Sequence, residues 1–390
     1  MRLALTSIAL AYSMSAEPRR SFGTEIASAS PKPPRFVDVD KFDVADGAGA
    51  RAHLDERGFV VFRGVLDQGE VARANELFFD YVEALGSGVD RNDVSTWGDD
   101  RWPPCAGEDL CHEVISRRRR GRAGSVERHR AGVASMAWRF DFHTGDAGIL
   151  PWFGVGQSPF MWYVRTRPRV AAAYRQAWGL QDDATLATSF DGCCAWRPGQ
   201  TTRSGWLHVD QDALRGNQRE MLQGLVHLTA PVSESTGGLV LVDRSHRTVF
   251  PRLADQYGDA LRANAGDDYF ELSREDDAYA EGPVICCRLE PGDIIIWDSR
   301  VAHASHPPSR PPADPTSLVR LCAYVCMAPP SADAAVRRAR RAAFDEGQTT
   351  THWPTKVVTT DVYESFAALP DVVRLRYGEA EEGGDHDGEV

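Results

Sequence analysis

Gly292-Asp293-Ile294-Ile295-Ile296-Trp297-Asp298-Ser299-Arg300-Val301-Ala302-His303 reads as a tight turn that launches an apolar strand and delivers a histidine at its end. A short apolar run opened by such a turn is a β signal. Working outward, similar runs recur at 186–190, 222–228, 238–242, 284–289 and 318–327. Turn residues punctuate them: Arg197-Pro198-Gly199, Ser235-Thr236-Gly237-Gly238 and Glu290-Pro291-Gly292-Asp293. Several short strands joined in this way predict a chain that is mainly β with helical additions, folded as a jelly roll or double-stranded β-helix of cupin-like form.

Upstream, a helical pattern between 44 and 66 leads into Gly58-Phe59-Val60-Val61-Phe62-Arg63-Gly64, a short strand bounded by glycines. Apolar spacing predicts further helices at 68–85, 168–178 and 332–344. Residues 1–34, rich in Ser, Ala and Pro, read as a flexible leader. The main domain is expected over 35–345, with an irregular Arg-rich insertion at 99–132, and 346–390 as a C-terminal extension with an acidic tail. Arg2, the apolar stretch 3–12 and Ser13-Met14-Ser15-Ala16 have the outline of a targeting segment. A cytoplasmic location is the expectation, with organellar or secretory targeting as the alternative. No later run approaches the roughly 20 apolar residues of a membrane span.

A net charge of -12 argues against nucleic acid or an anionic membrane surface as the main partner. The run Arg117-Arg118-Arg119-Arg120 reads as a solvated loop in an acidic protein. Eight cysteines, none in a CxxC, predict reduced and mostly buried thiols. Cys322 and Cys326 are evenly spaced in an apolar run, which predicts packing on one strand face. The aromatic-rich segment 137–162 is expected to line a pocket, with residues facing the metal cavity among Trp138, Phe142, Trp152 and Trp162.

The chemistry is carried by two separate histidines. In Gly205-Trp206-Leu207-His208-Val209-Asp210-Gln211, His208 and Asp210 are two apart, so on a strand they share one face. An HxD alone is frequent by chance. His303, at the end of its own strand, supplies a second imidazole. Two imidazoles and one carboxylate form the facial ligand set of non-heme iron(II) oxygenases, which leaves three positions for a bidentate keto acid and O2. His306 is the rival to His303, but Pro307-Pro308 follow it directly and suit a loop exit.

A keto acid such as 2-oxoglutarate carries a second carboxylate that needs a fixed, forked cation. Arg320, early on the strand that follows the His303 loop, is costly among apolar neighbours unless it meets an anion. Arg310 is the competitor, in a proline-rich loop. Ser305 stands two residues after His303, where its hydroxyl adds a donor for the same carboxylate. Gln223 and His227 share a face of the 222–228 strand, and either is placed to reach the keto acid.

These motifs together resemble the phytanoyl-CoA dioxygenase family of iron and 2-oxoglutarate enzymes. The resemblance runs from about residue 45 to 330. It rests on His208-Val209-Asp210-Gln211, Gly237-Gly238-Leu239-Val240-Leu241-Val242 followed by Ser245-His246, Gly292-Asp293 through His303-Ala304-Ser305, and Arg320. A closer resemblance, to a branch of that family in fungi and algae, shows in Gly156-Gln157-Ser158-Pro159-Phe160-Met161-Trp162, Ser189-Phe190-Asp191-Gly192, Gln223-Gly224 and Thr350-Thr351-His352-Trp353-Pro354. The resemblance implies iron(II) on His208, Asp210 and His303, and 2-oxoglutarate held by Arg320 and Ser305. It implies hydroxylation of a small or medium organic substrate, and Asp210 favours hydroxylation over halogenation, whose enzymes lack that carboxylate. The phytanoyl-CoA substrate itself is not carried over.

Two other readings stand beside this one. A catalytically silent jelly-roll binding module requires neither the triad nor the anion anchor. A metallohydrolase with zinc in the same three ligands requires a general base that the motifs do not supply. The sequence specifies no oligomeric state.

Overall fold

The computed structural model describes residues 33–99, 101–103, 148–151, 154–263, 268–272 and 283–359. The acidic tail, the four-arginine run, Cys105, Cys111, Trp138, Phe142, Trp152 and the leader up to residue 32 lie outside them.

Two sheets carry the fold. One has six strands in the order β1 (Arg35–Val37), β11 (Val284–Cys287), β9 (Gly238–Val242), β13 (His303–His306), β7 (His208–Val209) and β10 (Phe270–Glu271). The other has seven: β2 (Lys41–Phe42), β3 (Phe59–Phe62), β12 (Ile294–Asp298), β8 (Leu222–His227), β14 (Arg320–Tyr324), β6 (Cys193–Trp196) and β4 (Ile149–Leu150). A small ladder joins β5 (Ala187–Thr188) to β15 (Met327–Ala328). Most pairs are antiparallel, while β1–β11 and β2–β3 run parallel. This is the double-stranded β-helix that the strand pattern predicts, with its sheets mixed and unclosed.

The apolar run of β12 is explained by burial on both faces. Ile295 and Trp297 pack with Phe59, Val61, Leu225, Cys322, Leu239 and Leu241 in a cluster that draws on both sheets. Their neighbours Ile294 and Ile296 pack with Val60, Phe62, Val226 and Leu321 against the helices Gln68–Ala84 and Pro168–Trp178. The first of these helices begins in a capping box, with Asp67 and Glu70 each accepting the other's backbone N–H. The preceding helix, Gly47–Arg57, must turn sharply into β3. Gly58 makes that turn at φ 84, where a Cβ would stand 2.5 Å from His246 Nδ1.

Three differences from the sequence expectation have physical causes. The run 318–327 is one strand only as far as Tyr324, opposite Leu225. The chain then leaves β8 and resumes as β15 beside β5. Cys322 therefore packs in the two-sheet cluster while Cys326 packs with Met221, Ala328 and Trp353, not on one shared strand face. A helix at Phe250–Ala263, absent from the sequence reading, packs through Phe250, Leu253 and Leu261. A kink at Tyr257 divides it without interrupting its apolar face. Trp162 is a core residue, packed with Phe190 and Phe344 and bonded through its indole N–H to Gln157 Oε1 at 2.9 Å. The six described cysteines are free and buried, as expected. Among the described residues no helix is long and apolar enough to cross a membrane.

Candidate metal centre

The antiparallel pairing of β7 with β13 sets His303 directly opposite His208. Their rings stand 4.3 Å apart, centroid to centroid. Asp210, two residues after His208, stays on the same side, and its N–H is held by the Ser299 carbonyl at 3.2 Å. Asp210 Oδ2 lies 3.5 Å from His208 Nε2 and 3.3 Å from His303 Nε2. All three donor atoms fall within 4.8 Å of one another, and all three residues are buried. Ligands about 2.1 Å from one ion at right angles would be about 3 Å apart, so small adjustments close this set on a metal.

Each imidazole is oriented by the backbone two residues before it. His208 Nδ1 contacts the Trp206 carbonyl at 3.1 Å and His303 Nδ1 the Val301 carbonyl at 2.9 Å. With Nδ1 donating, each Nε2 presents a lone pair to the centre, the arrangement metal-binding histidines need. Burial, then the neighbouring His208 ring, pushes His303 below its usual range and keeps it neutral. Burial alone would raise the Asp210 carboxyl, but His208 and His352 outweigh it and hold it well below the usual carboxylate range.

Gln223 and His227 separate cleanly. Gln223 Nε2 donates to Asp210 Oδ2 at 2.8 Å, so this side chain braces the carboxylate. His227, four residues further along β8, puts Nε2 on the Ala230 carbonyl at 2.7 Å, and burial pushes its pKa down to about 4. It is therefore neutral, with its donor already spent on the backbone. His306 alternates with His303 and Ser305 along β13 and faces the other way. Arg310 is exposed on its loop.

Arg320 is 1% exposed, deep between the sheets. Its Nη1 donates to Ser305 Oγ at 3.2 Å, across from β14 to β13. The guanidinium lies 4.6 Å from the centre of the Trp196 ring. Its Nε has no partner, and among the described residues no carboxylate pairs with it. A guanidinium buried in this state costs several kcal/mol unless an anion joins it. Through Ser305, two residues after His303 on β13, the Arg320 guanidinium meets the strand face that carries the cluster.

Aromatic residues that sequence reasoning missed surround the cluster. Trp206 stacks on His208 at 4.8 Å and 7°, Tyr269 lies 4.8 Å from the same ring, and Trp297 lies 5.2 Å from His303. Trp206 carried a signal, being two before His208 on an extended segment. Tyr269 carried none, because its contact comes from the β7–β10 pairing.

A family model described as phytanoyl-CoA dioxygenase matches residues 54–310, a span that holds all three cluster residues but not Arg320. The chain belongs to the phytanoyl-CoA dioxygenase family. Within a phytanoyl-CoA dioxygenase-type chain, this match covers the two sheets from β3 to β13. "Ava biosynthesis cluster protein O" of Aspergillus versicolor is 26% identical over 232 residues, 54% of this chain and 68% of that protein. Among solved structures, the non-heme alpha ketoglutarate dependent epimerase SnoN from nogalamycin biosynthesis is 18% identical at a TM-score of 0.37. It covers 73% of this chain and 83% of its own. An oxidoreductase structure from Salmonella typhimurium LT2 is 14% identical at a TM-score of 0.48, covering 84% and 81%.

Outside the family's matched span, the segment after the last described helix, Ala334–Asp345, returns to the sheets. Thr349 Oγ1 accepts the Gly156 N–H at 3.1 Å. The Phe190 N–H goes to Thr350 Oγ1 at 3.1 Å, and the Thr350 N–H to the Phe190 carbonyl at 2.9 Å. A Cβ on Gly156 would fall 1.8 Å from the Phe190 carbonyl oxygen, so only glycine allows this approach. The motifs around 156, 190 and 350 are thereby stitched into one wall.

Proposed function

We propose that this protein is an iron(II)- and 2-oxoglutarate-dependent dioxygenase that hydroxylates a small or medium organic substrate, with release of succinate and CO2. The observation that carries the reading is the pairing of a convergent His208–Asp210–His303 cluster with a buried, carboxylate-free Arg320 on Ser305. Iron(II) and 2-oxoglutarate, when bound, supply O2 activation and the oxidative decarboxylation that drives hydroxylation.

The chain's own residues do the rest. His208, Asp210 and His303 would hold the metal through their converging donor atoms. Arg320 and Ser305 would receive the distal carboxylate of 2-oxoglutarate. Gln223 keeps Asp210 turned toward the metal. Trp206, Tyr269 and Trp297 crowd the imidazoles and limit water around them. Asp210 occupies the position whose carboxylate favours hydroxylation over halogenation.

Conversion of 2-oxoglutarate to succinate with added iron(II), abolished by a chelator, tests the reading. A protein that binds iron stoichiometrically yet forms no succinate across a broad metabolite panel overturns it.

A further inference from the structure

Two polar residues at the same end of the sheets are neither metal ligands nor keto-acid contacts in the reading above. Asp191 precedes β6, and His352 follows the Thr350–Phe190 contact. The strand register locates Asp191. Tyr324 stands opposite Leu225, and Ala323 opposite Cys193, so Asp191 comes level with Val325 and, beyond it, with Gly224, the chain neighbour of Gln223 on β8. Two strand spacings are about 10 Å. Gln223 itself touches Asp210. Asp191 therefore stands at the same end of the sheet as the cluster, while Arg320, opposite Trp196, lies deeper.

Both residues are built into place. The Arg165 guanidinium, fully buried, donates to the backbone carbonyls of Gly156 and Asp191 and pins the loop from below. One Asp191 oxygen accepts the Gly192 N–H at 2.7 Å, and no ion pair engages the carboxyl among the described residues. His352 Nε2 is buried with no hydrogen-bond partner, and its ring lies 5.5 Å from that of Trp353. Thr350 and Phe190 exchange hydrogen bonds at 2.9 and 3.1 Å, which brings the segment carrying His352 beside the one carrying Asp191. The His352 ring is near enough to both Asp191 and Asp210 to act on their carboxyls. Burial, the largest influence, raises the Asp191 carboxyl to about 6. A half-buried carboxyl and an unpartnered, buried imidazole nitrogen at one edge of a reaction centre are the kind of polar contacts that fix a ligand's orientation.

We propose that Asp191 and His352 form the substrate-recognition pair, receiving a hydroxyl or amine group of the organic substrate and so setting which of its C–H bonds faces the metal. This rests on the oxygenase reading above.

The test uses the full chain loaded with iron(II) and 2-oxoglutarate. Succinate release is measured against a panel of hydroxyl- and amine-bearing metabolites, each paired with its deoxy or deamino counterpart. Stimulation is expected from donor-bearing members only. In Asp191→Asn and His352→Gln proteins, kcat/KM for a stimulating compound is expected to fall at least tenfold. In the Asp191→Asn protein, iron affinity, the 2-oxoglutarate KM and substrate-free succinate release stay within about twofold of the parent protein. Variants that keep full stimulation overturn the pair, as does a panel in which no donor-bearing member exceeds its counterpart. An Asp191→Asn protein whose keto-acid binding falls in parallel also overturns it. Complete absence of iron-dependent succinate in the parent protein overturns the oxygenase reading instead, which tells the two failures apart.

Discussion

His208 and His303 are direct cross-strand partners on β7 and β13, with their rings 4.3 Å apart. A long excursion through β8 to β12 begins and ends at this one rung. The spacing of the two imidazoles is thus a property of the ladder and not of loop conformation. Asp210 is added by simple alternation along the same segment.

Replacing Asp210 or His303 by alanine should therefore remove iron without unfolding the sheets. The expected outcome is loss of stoichiometric iron(II) binding and of succinate formation, with an unchanged far-ultraviolet circular dichroism spectrum. Full activity in the Asp210→Ala protein refutes the cluster.

Gln223→Leu removes the 2.8 Å hydrogen bond to Asp210 while preserving volume on β8. Partners of this kind are worth roughly 10- to 100-fold in metal affinity. Iron titration should show a loss in that range. His227→Leu, whose imidazole bonds only the backbone carbonyl of Ala230, should leave iron affinity within about twofold.

Arg320→Lys keeps the charge and loses the fork. A hydrogen bond to a charged group contributes about 1.5–3 kcal/mol, or roughly 10- to 150-fold. The 2-oxoglutarate KM should rise within that range, with iron affinity little changed. An unchanged KM in Arg320→Ala removes the cosubstrate anchor from this position.

Asp298 gives a pH test of the fold. It is fully buried and receives Arg219 Nε and Arg300 Nη2, each at 2.6 Å. Burial raises its carboxyl, but the two arginines overcome this and hold it below the usual range. A carboxyl depressed in the folded state stabilises fully above its unfolded pKa, about 3.9. That contribution is lost as the pH falls through the lower folded value. Asp298→Asn should lower stability by about 1.5–3 kcal/mol at pH 7. The gap between the two proteins in urea midpoint should close as the pH drops below about 4.

The sequence was most legible where one strand period decides the outcome. His208 and Asp210 share a face by spacing, and Ile294 to Trp297 announce a doubly buried strand. Arg320 was legible as a charge in an apolar run, which calls for an anion. Gln223 and His227 were not separable, because a shared strand face says nothing about depth. Only the register shows one end at Asp210 and the other at the Ala230 carbonyl. The Phe250–Ala263 helix was legible in the helical spacing of Phe250, Leu253, Tyr257 and Leu261, although the sequence reading omits it. The Tyr269 contact, in contrast, is made by strand pairing distant in sequence. Asp191 and His352 stood in quoted motifs, but their neighbourhood is made by the return of the chain at Thr350.

The cluster hangs from the six-stranded sheet, whereas Gln223 and Arg320 belong to the seven-stranded one. Gln223 to Asp210 and Arg320 to Ser305 are thus rivets through both layers, and a bound keto acid would span the same gap. Sliding of one layer over the other must strain these rivets together. At a 2-oxoglutarate concentration one hundred times its Kd, ligand linkage adds about 2.7 kcal/mol against unfolding. Hydrogen exchange should then slow on β7 and β14 in step, although no backbone bond joins those two strands.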